Sequence, residues 1–202
     1  MKKVLMVIAH ADDEIICGWP IFQDDTIEKE VLLCSSDLYN PQRQWCAHRK
    51  HVLIELCKEK NIPIKVYDLP SGFYRIETRQ GSLAKMQEDI MSDIESTECD
   101  AIFTHNPLGE YGHLDHKMCF ELVLRASKKP VIFSDILLKS NWQSHETIPP
   151  LFKKIYYTDV ISKDHVLDEG YYAYCEQKYR DAGVWTWNKP PVKKCNLYQL
   201  VP

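Results

Sequence analysis

The sequence lacks the features that mark several whole classes of protein. It has seven glycines in 202 residues, and none forms a G-x-G-x-x-G after the first apolar segment, where a dinucleotide site would need them. No apolar run approaches the ~20 residues of a membrane helix, so no membrane span is expected. The opening segment superficially resembles a signal peptide, but its apolar run ends at once in His10, Asp12, Asp13 and Glu14 and reads as a buried strand. Positive charge is not in excess: 25 Lys and Arg stand against 29 Asp and Glu, for a net charge of −4. The basic residues are spread along the chain, and no nucleic acid partner is expected. No Cys-x-x-Cys occurs among the eight cysteines, at 17, 34, 46, 57, 99, 119, 175 and 195. Most lie in apolar periodic segments, where free cysteine acts as a small hydrophobe, and the expected compartment is a reducing cytoplasm.

What is present has the balance of a soluble globular protein, with 45% hydrophobic and 27% charged residues. A chain of this length can bury roughly 70% of its unfolded surface in one core, and a single domain over 1–202 is expected. Apolar runs of strand length recur at residues 3–9, 30–34, 64–68, 100–104, 130–133 and 154–159. Helical spacing appears between several of them. Val52, Leu53, Leu56 and Cys57 share a face in 43–60, Leu83, Met86, Ile90 and Ile94 in 82–97, and Met118, Phe120, Leu122 and Val123 mark 114–127 less cleanly. Strands alternating with helices predict an α/β, Rossmann-like, doubly wound and mostly parallel sheet with helices on both faces. Residues 134–152 and 183–195 are the least regular and read as loops over a pocket.

In such sheets ligands bind beyond the carboxyl ends of the strands, and two polar clusters fall there. His10-Ala11-Asp12-Asp13-Glu14 follows the first strand, and His113-Leu114-Asp115-His116 is reached from the strand at 100–104. Residues three apart at a helix start project to one side, so His10 with Asp13 and His113 with His116 form pairs that can share one ion. Imidazole and carboxylate suit Zn2+, whose catalytic sites have three protein ligands and one open position. Four candidates for three positions leave one histidine for catalysis.

Ala9-His10-Ala11-Asp12-Asp13-Glu14 resembles the A-H-P-D-D-E signature of the PIG-L/LmbE-like deacetylases, and Gly112-His113-Leu114-Asp115-His116 resembles their G-H-P-D-H signature. The lead-in Thr104-His105-Asn106-Pro107 with Gly109-Glu110-Tyr111 is similar too, and the resemblance spans about the first 125 residues. Both signature prolines are replaced, by Ala11 and Leu114, which touches loop stiffness rather than metal binding. The resemblance implies a zinc hydrolase that removes acetyl groups from N-acetylglucosaminyl compounds, with His10, Asp13 and His116 as ligands and Asp12 as general base. It also suggests Tyr111 as a partner for the oxyanion, and Asp37 and Arg49 as contacts to the sugar.

His113 is expected to stabilise the oxyanion as an imidazolium, held and oriented by Asp115, while Glu14 makes a structural contact. Trp185 and Trp187 are candidates to stack on a sugar face. Fe2+ suits two histidines and a carboxylate as well as Zn2+ does. The expected partner is a small N-acetylated sugar or glycoconjugate, with a homo-oligomer left open. A rival metal site at Cys46, His48, His51 and Cys57 has no compact ligand spacing. Two other readings stay in play: a non-catalytic sugar- or nucleotide-binding protein, and an esterase or amidase for a non-sugar substrate.

Overall fold

The computed structural model describes residues 1–35, 48–70, 81–136 and 159–200. Seven strands form one sheet in the order β3-β2-β1-β4-β5-β7-β6. These are β1 (Lys3–Ile8), β2 (Glu28–Ser35), β3 (Ile64–Leu69), β4 (Ala101–Thr104), β5 (Val131–Ser134), β6 (Asp159–Val166) and β7 (Lys194–Leu200). Neighbours among the first five run parallel, whereas β7 is antiparallel to both β5 and β6. The architecture is α/β, Rossmann-like and mostly parallel.

The first strand shows why both faces must be covered. Its residues alternate between faces with the period of two that a strand imposes. Val4, Met6 and Ile8 enter one apolar cluster, and Leu5, Val7 and Ala9 enter the other. A strand buried on both sides reads as an unbroken apolar run, as KVLMVI does. On the first face lie α1 (Asp13–Ile16), α2 (Trp19–Phe22), α3 (Arg49–Glu59) and, later in the chain, α7 (Glu169–Asp181). On the second lie α4 (Gly81–Ser96) and α6 (Leu114–Ala126), through Ile90, Ile94, Cys119, Phe120 and Val123. A short irregular turn, α5 (Gly109–Gly112), precedes α6. The seven cysteines among the described residues are free thiols, and all but Cys99 are buried.

Several boundaries differ from the sequence reading. Residues 154–158 lie outside the described residues, and the strand described nearby, β6, runs from Asp159 to Val166. Residues 43–47 and the side chain of Leu83 also lie outside them. Residues 194 and 195, read as part of a loop, begin β7, which carries inward Cys195 and Leu197. The helix α7 went unread because its buried stripe is Tyr172, Cys175 and Tyr179, set among charged and polar residues rather than aliphatic ones. Its start is nevertheless marked in the sequence: the Asp168 carboxylate accepts the Tyr171 N–H at 2.9 Å. Among the described residues no helix is long and apolar enough to cross a membrane.

Phe133 is fully buried between Phe120, 5.8 Å away edge-on, and Tyr198, stacked at 6.0 Å. It lies on the face formed by α4 and α6. Phe133→Ala should cost about 3–5 kcal/mol of unfolding free energy, read from urea denaturation. A loss below ~1 kcal/mol would mean that this face is not packed as described.

Candidate functional site

The strand order reverses at β1, between β2 on one side and β4 on the other, and the crevice outside the carboxyl ends of β1 and β4 is the switch point of the sheet. Both polar clusters converge there. After β1 the chain turns sharply into α1 through Asp12, whose φ of 95° is in the left-handed region that non-glycine residues rarely take. The turn is held by Glu14, whose Oε2 accepts the Asp12 N–H at 2.9 Å and whose Oε1 accepts the Tyr179 hydroxyl at 2.6 Å. Glu14 therefore has the structural place expected of it.

After β4, Asn106 shapes the loop. Its Oδ1 accepts from the N–H of Leu108 at 3.0 Å and of Glu110 at 3.3 Å, and its side-chain N–H donates to the Ile136 carbonyl at 2.9 Å. Gly109, at φ 66°, lets the chain turn back, and Glu110 follows at φ 54°. His113 then caps α6, its Nδ1 accepting the Asp115 N–H at 3.2 Å.

The Asp13 carboxylate sits between two imidazoles. His10 Nδ1 lies 3.5 Å from its Oδ2, and His116 Nε2 lies 3.4 Å from its Oδ1. Each ring is fixed from behind by a second carboxylate: Asp115 Oδ2 is 3.1 Å from His10 Nε2, and Glu110 Oε2 is 2.6 Å from His116 Nδ1. His116 Nε2 is buried and has no hydrogen-bond partner among the described residues. Donor atoms bound at about 2.0–2.1 Å with tetrahedral angles stand roughly 3.3–3.4 Å apart, close to the separations seen.

Two further histidines adjoin this group, and backbone donors decide what they can do. The Ala9 N–H points at His105 Nε2 at 2.9 Å, and the Asp115 N–H at His113 Nδ1. A neutral imidazole has one lone pair, so each ring has spent it and carries its proton on the other nitrogen. His105 then donates from Nδ1 to Glu110 Oε2, at 3.1 Å. Burial lowers the affinity of His105 for a second proton while Glu110 and Asp13 raise it, with a net upward pull, but the Ala9 N–H occupies the atom that would receive that proton. Among the described residues three groups bring donor atoms close enough to share an ion: His10, His113 and His116; Asp13, His105 and His116; and Cys17, His105 and Glu110.

The electrostatics point the same way. Asp12, Asp13, Glu110 and Asp115 are all buried, and Arg49 is paired with the first of them, Asp12. Burial alone would lower the pKa of His10, but its bonds to Asp115 and Asp13 overcome that and raise it to about 10. A proton thus supplies part of the positive charge that the site demands. Burial raises Asp12 to about 6 against the pull of Arg49. Glu110 resists burial through His105 and His116 and falls to about 2.

The remaining expected residues are placed as follows. Arg49 is buried at the site, and its Nη1 donates to Asp12 Oδ2 at 2.8 Å, so it holds the carboxylate expected to act as base. Tyr111 packs edge-on against His113 and His116, with ring centroids 5.4 Å away in each case, and against Trp187 at 5.7 Å. Trp187 therefore borders the site, whereas Trp185 packs on Tyr172 and Tyr179. At His113, expected as an imidazolium held by Asp115, the surroundings disfavour a second proton. Burial, with His116 and His10 nearby, lowers its pKa to about 3, and Asp115 reaches His10. Asp37 and Cys46 lie outside the described residues. In the rival cluster Cys57 is buried in the core while His48 and His51 are exposed.

Sequence reasoning missed His105, Glu110 and Thr186 as parts of the site. The first two carried a signal, a histidine at the end of β4 and a carboxylate six residues before His116. Thr186 carried none: it follows α7 and reaches Asp12 Oδ2 with its hydroxyl, at 3.0 Å.

No family model and no curated protein matches this sequence. Solved structures do resemble it. A deacetylase of the teicoplanin biosynthesis pathway, in complex with teicoplanin, overlays with a TM-score of 0.60 at 12% identity, covering 98% of each chain. A teicoplanin-pathway deacetylase in a further complex gives a TM-score of 0.62, also at 12% identity and 98% of each chain. The A40926 pseudoaglycone deacetylase Dbv21 gives 0.59 at 12% identity, over 98% of this chain and 96% of that one. At such identity the likeness is one of fold.

Proposed function

We propose that this chain is a divalent-metal-dependent hydrolase that removes the acetyl group from an N-acetylated amino sugar of the N-acetylglucosamine type. The observation that carries the reading is that His10 Nδ1 lies 3.5 Å and His116 Nε2 3.4 Å from the Asp13 carboxylate in the β1–β4 crevice, with Asp12 the neighbouring buried carboxylate. Hydrolysis needs a proton acceptor beside the ion, a role that binding alone does not call for. The signature resemblance and the fold shared with the teicoplanin and A40926 deacetylases support an acetyl amide as the bond broken and a sugar as its carrier. Zn2+ is the proposed ion, and Fe2+ suits the same donors.

When bound, a divalent cation supplies a Lewis acid and lowers the pKa of water toward ~7. His10, Asp13 and His116 would hold it, with Asp115 and Glu110 orienting the two rings. Asp12 takes the proton of the attacking water and later delivers it to the departing amine. Arg49 and Thr186 both bond its Oδ2, so Oδ1 is the atom assigned to that proton. His113, neutral and protonated on Nε2, donates to the oxyanion. Tyr111 stays protonated, because burial raises its pKa far above the ordinary value, and its hydroxyl is assigned as a second donor.

Asp12→Asn should take up one Zn2+ as the parent does yet release acetate about 10²–10⁴-fold more slowly. His116→Ala should lose the metal as well. A screen of N-acetylated amino sugars, free, nucleotide-linked and glycosidically linked, scored for acetate, supplies the substrate. Near-parental rates for Asp12→Asn on every substrate cleaved would sink the mechanism.

The His10 proton gives an independent check. With a folded pKa of about 10 and an ordinary one of 6.5, its stabilising contribution to the ion-free protein is full below pH 6.5 and lost as the pH rises through about 10. A cation needs Nδ1 deprotonated. Zn2+ uptake at pH 8 should therefore expel about one proton, seen as a binding heat that changes with the ionisation enthalpy of the buffer. A heat identical in phosphate and Tris would contradict this account.

A further inference from the structure

We propose that Glu110 is the positioning residue of the metal centre, one buried carboxylate that sets the tautomer and ring angle of His116 and ties it, through His105, to the end of β1. This rests on the hydrolase reading above. Glu110 is only 2% exposed, and three inward-facing donors converge on it. Its Oε2 accepts from Nδ1 of His116 at 2.6 Å and from Nδ1 of His105 at 3.1 Å, while Oε1 accepts the Asn106 N–H at 2.9 Å. His105 stacks on His116 with ring centroids 3.9 Å apart, and its far nitrogen accepts the Ala9 N–H. A continuous chain therefore runs from Ala9 through His105 and Glu110 to His116.

The consequence lies at His116 Nε2. With the proton on Nδ1 and given to Glu110, the lone pair stands on Nε2, which has no hydrogen-bond partner among the described residues and faces Asp13. The backbone is bent to achieve this. Glu110 adopts φ 54°, which residues other than glycine hold only when their surroundings over-determine it. A glutamine of the same shape has one acceptor oxygen for three donors. If that oxygen stays on Asn106, the amide NH2 faces the His116 ring, which answers by moving its proton to Nε2 and blocking the atom meant for the cation.

The test is Glu110→Gln in the full chain. Zn2+ affinity, measured by chelator competition, should fall about 10–100-fold. In the metal-free protein, long-range ¹H–¹⁵N correlation should show the His116 proton moved from Nδ1 to Nε2, a change that a merely structural role would not produce. Thermal unfolding verifies that the variant is folded. Should it not fold, Glu110→Asp, which keeps the charge but cannot reach both rings, is put through the same two measurements and is expected to weaken Zn2+ binding. A parent that binds Zn2+ beside a folded variant that binds it within twofold, with the His116 proton still on Nδ1, overturns the proposal and leaves the hydrolase reading standing. A parent that binds no divalent cation removes that reading, and this proposal with it.

Discussion

Negative charge buried at the mouth of the sheet is the constraint on which the rest of this structure depends. Asp12, Asp13, Glu110 and Asp115 are each at most 3% exposed, at a depth where an ionised carboxylate without a partner is costly. Each has been given one: Arg49 for Asp12, the His10 backbone N–H for Asp13, two imidazoles for Glu110 and one for Asp115. The left-handed backbone at Asp12 and Glu110 is tolerated because these bonds hold it in place. Local strain and local charge are thus two aspects of one arrangement.

The scaffold explains why the charge collects where it does. Parallel strands buried on both faces leave their carboxyl ends as the place where backbone turns outward, and the reversal at β1 opens a crevice there. The two sides of the crevice contribute differently. The β1 side supplies His10, Asp12 and Asp13 within four residues of sequence. The β4 side needs a longer path, in which Asn106 and two glycines at positive φ bring Glu110, His113 and His116 round to face them.

Legibility in the sequence followed the range of the interactions. The first strand and the helices α3, α4 and α6 were readable because their apolar periodicity is local, and both polar clusters were readable because each lies within a few residues. Which nitrogen of which histidine carries the proton was not readable, since the Ala9 N–H settles it for His105 across 96 residues. The expected pairing of Asp115 with His113 followed sequence adjacency, whereas the fold turns Asp115 toward His10, 105 residues away. Thr186 was invisible for the same reason, as its partner lies 174 residues earlier. The stripe of α7 was missed because tyrosine and cysteine mark a buried face less plainly than leucine.

The hydroxyl of Thr186 on Asp12 ties two stretches far apart in sequence to one turn. Tyr179 props Glu14 beneath that turn, and Thr186 grips Asp12 itself. Tyr179 lies in α7 and Thr186 in the segment that joins it to β7, the strand seated between β5 and β6. The seat of the Asp12 carboxylate therefore depends on how α7 and β7 dock, whereas His10, Asp13 and His116 are positioned from β1 and the loop after β4. The two parts of the crevice floor thus stand on separate foundations, and a disturbance of the α7–β7 segment would unseat Asp12 before it reached the histidines.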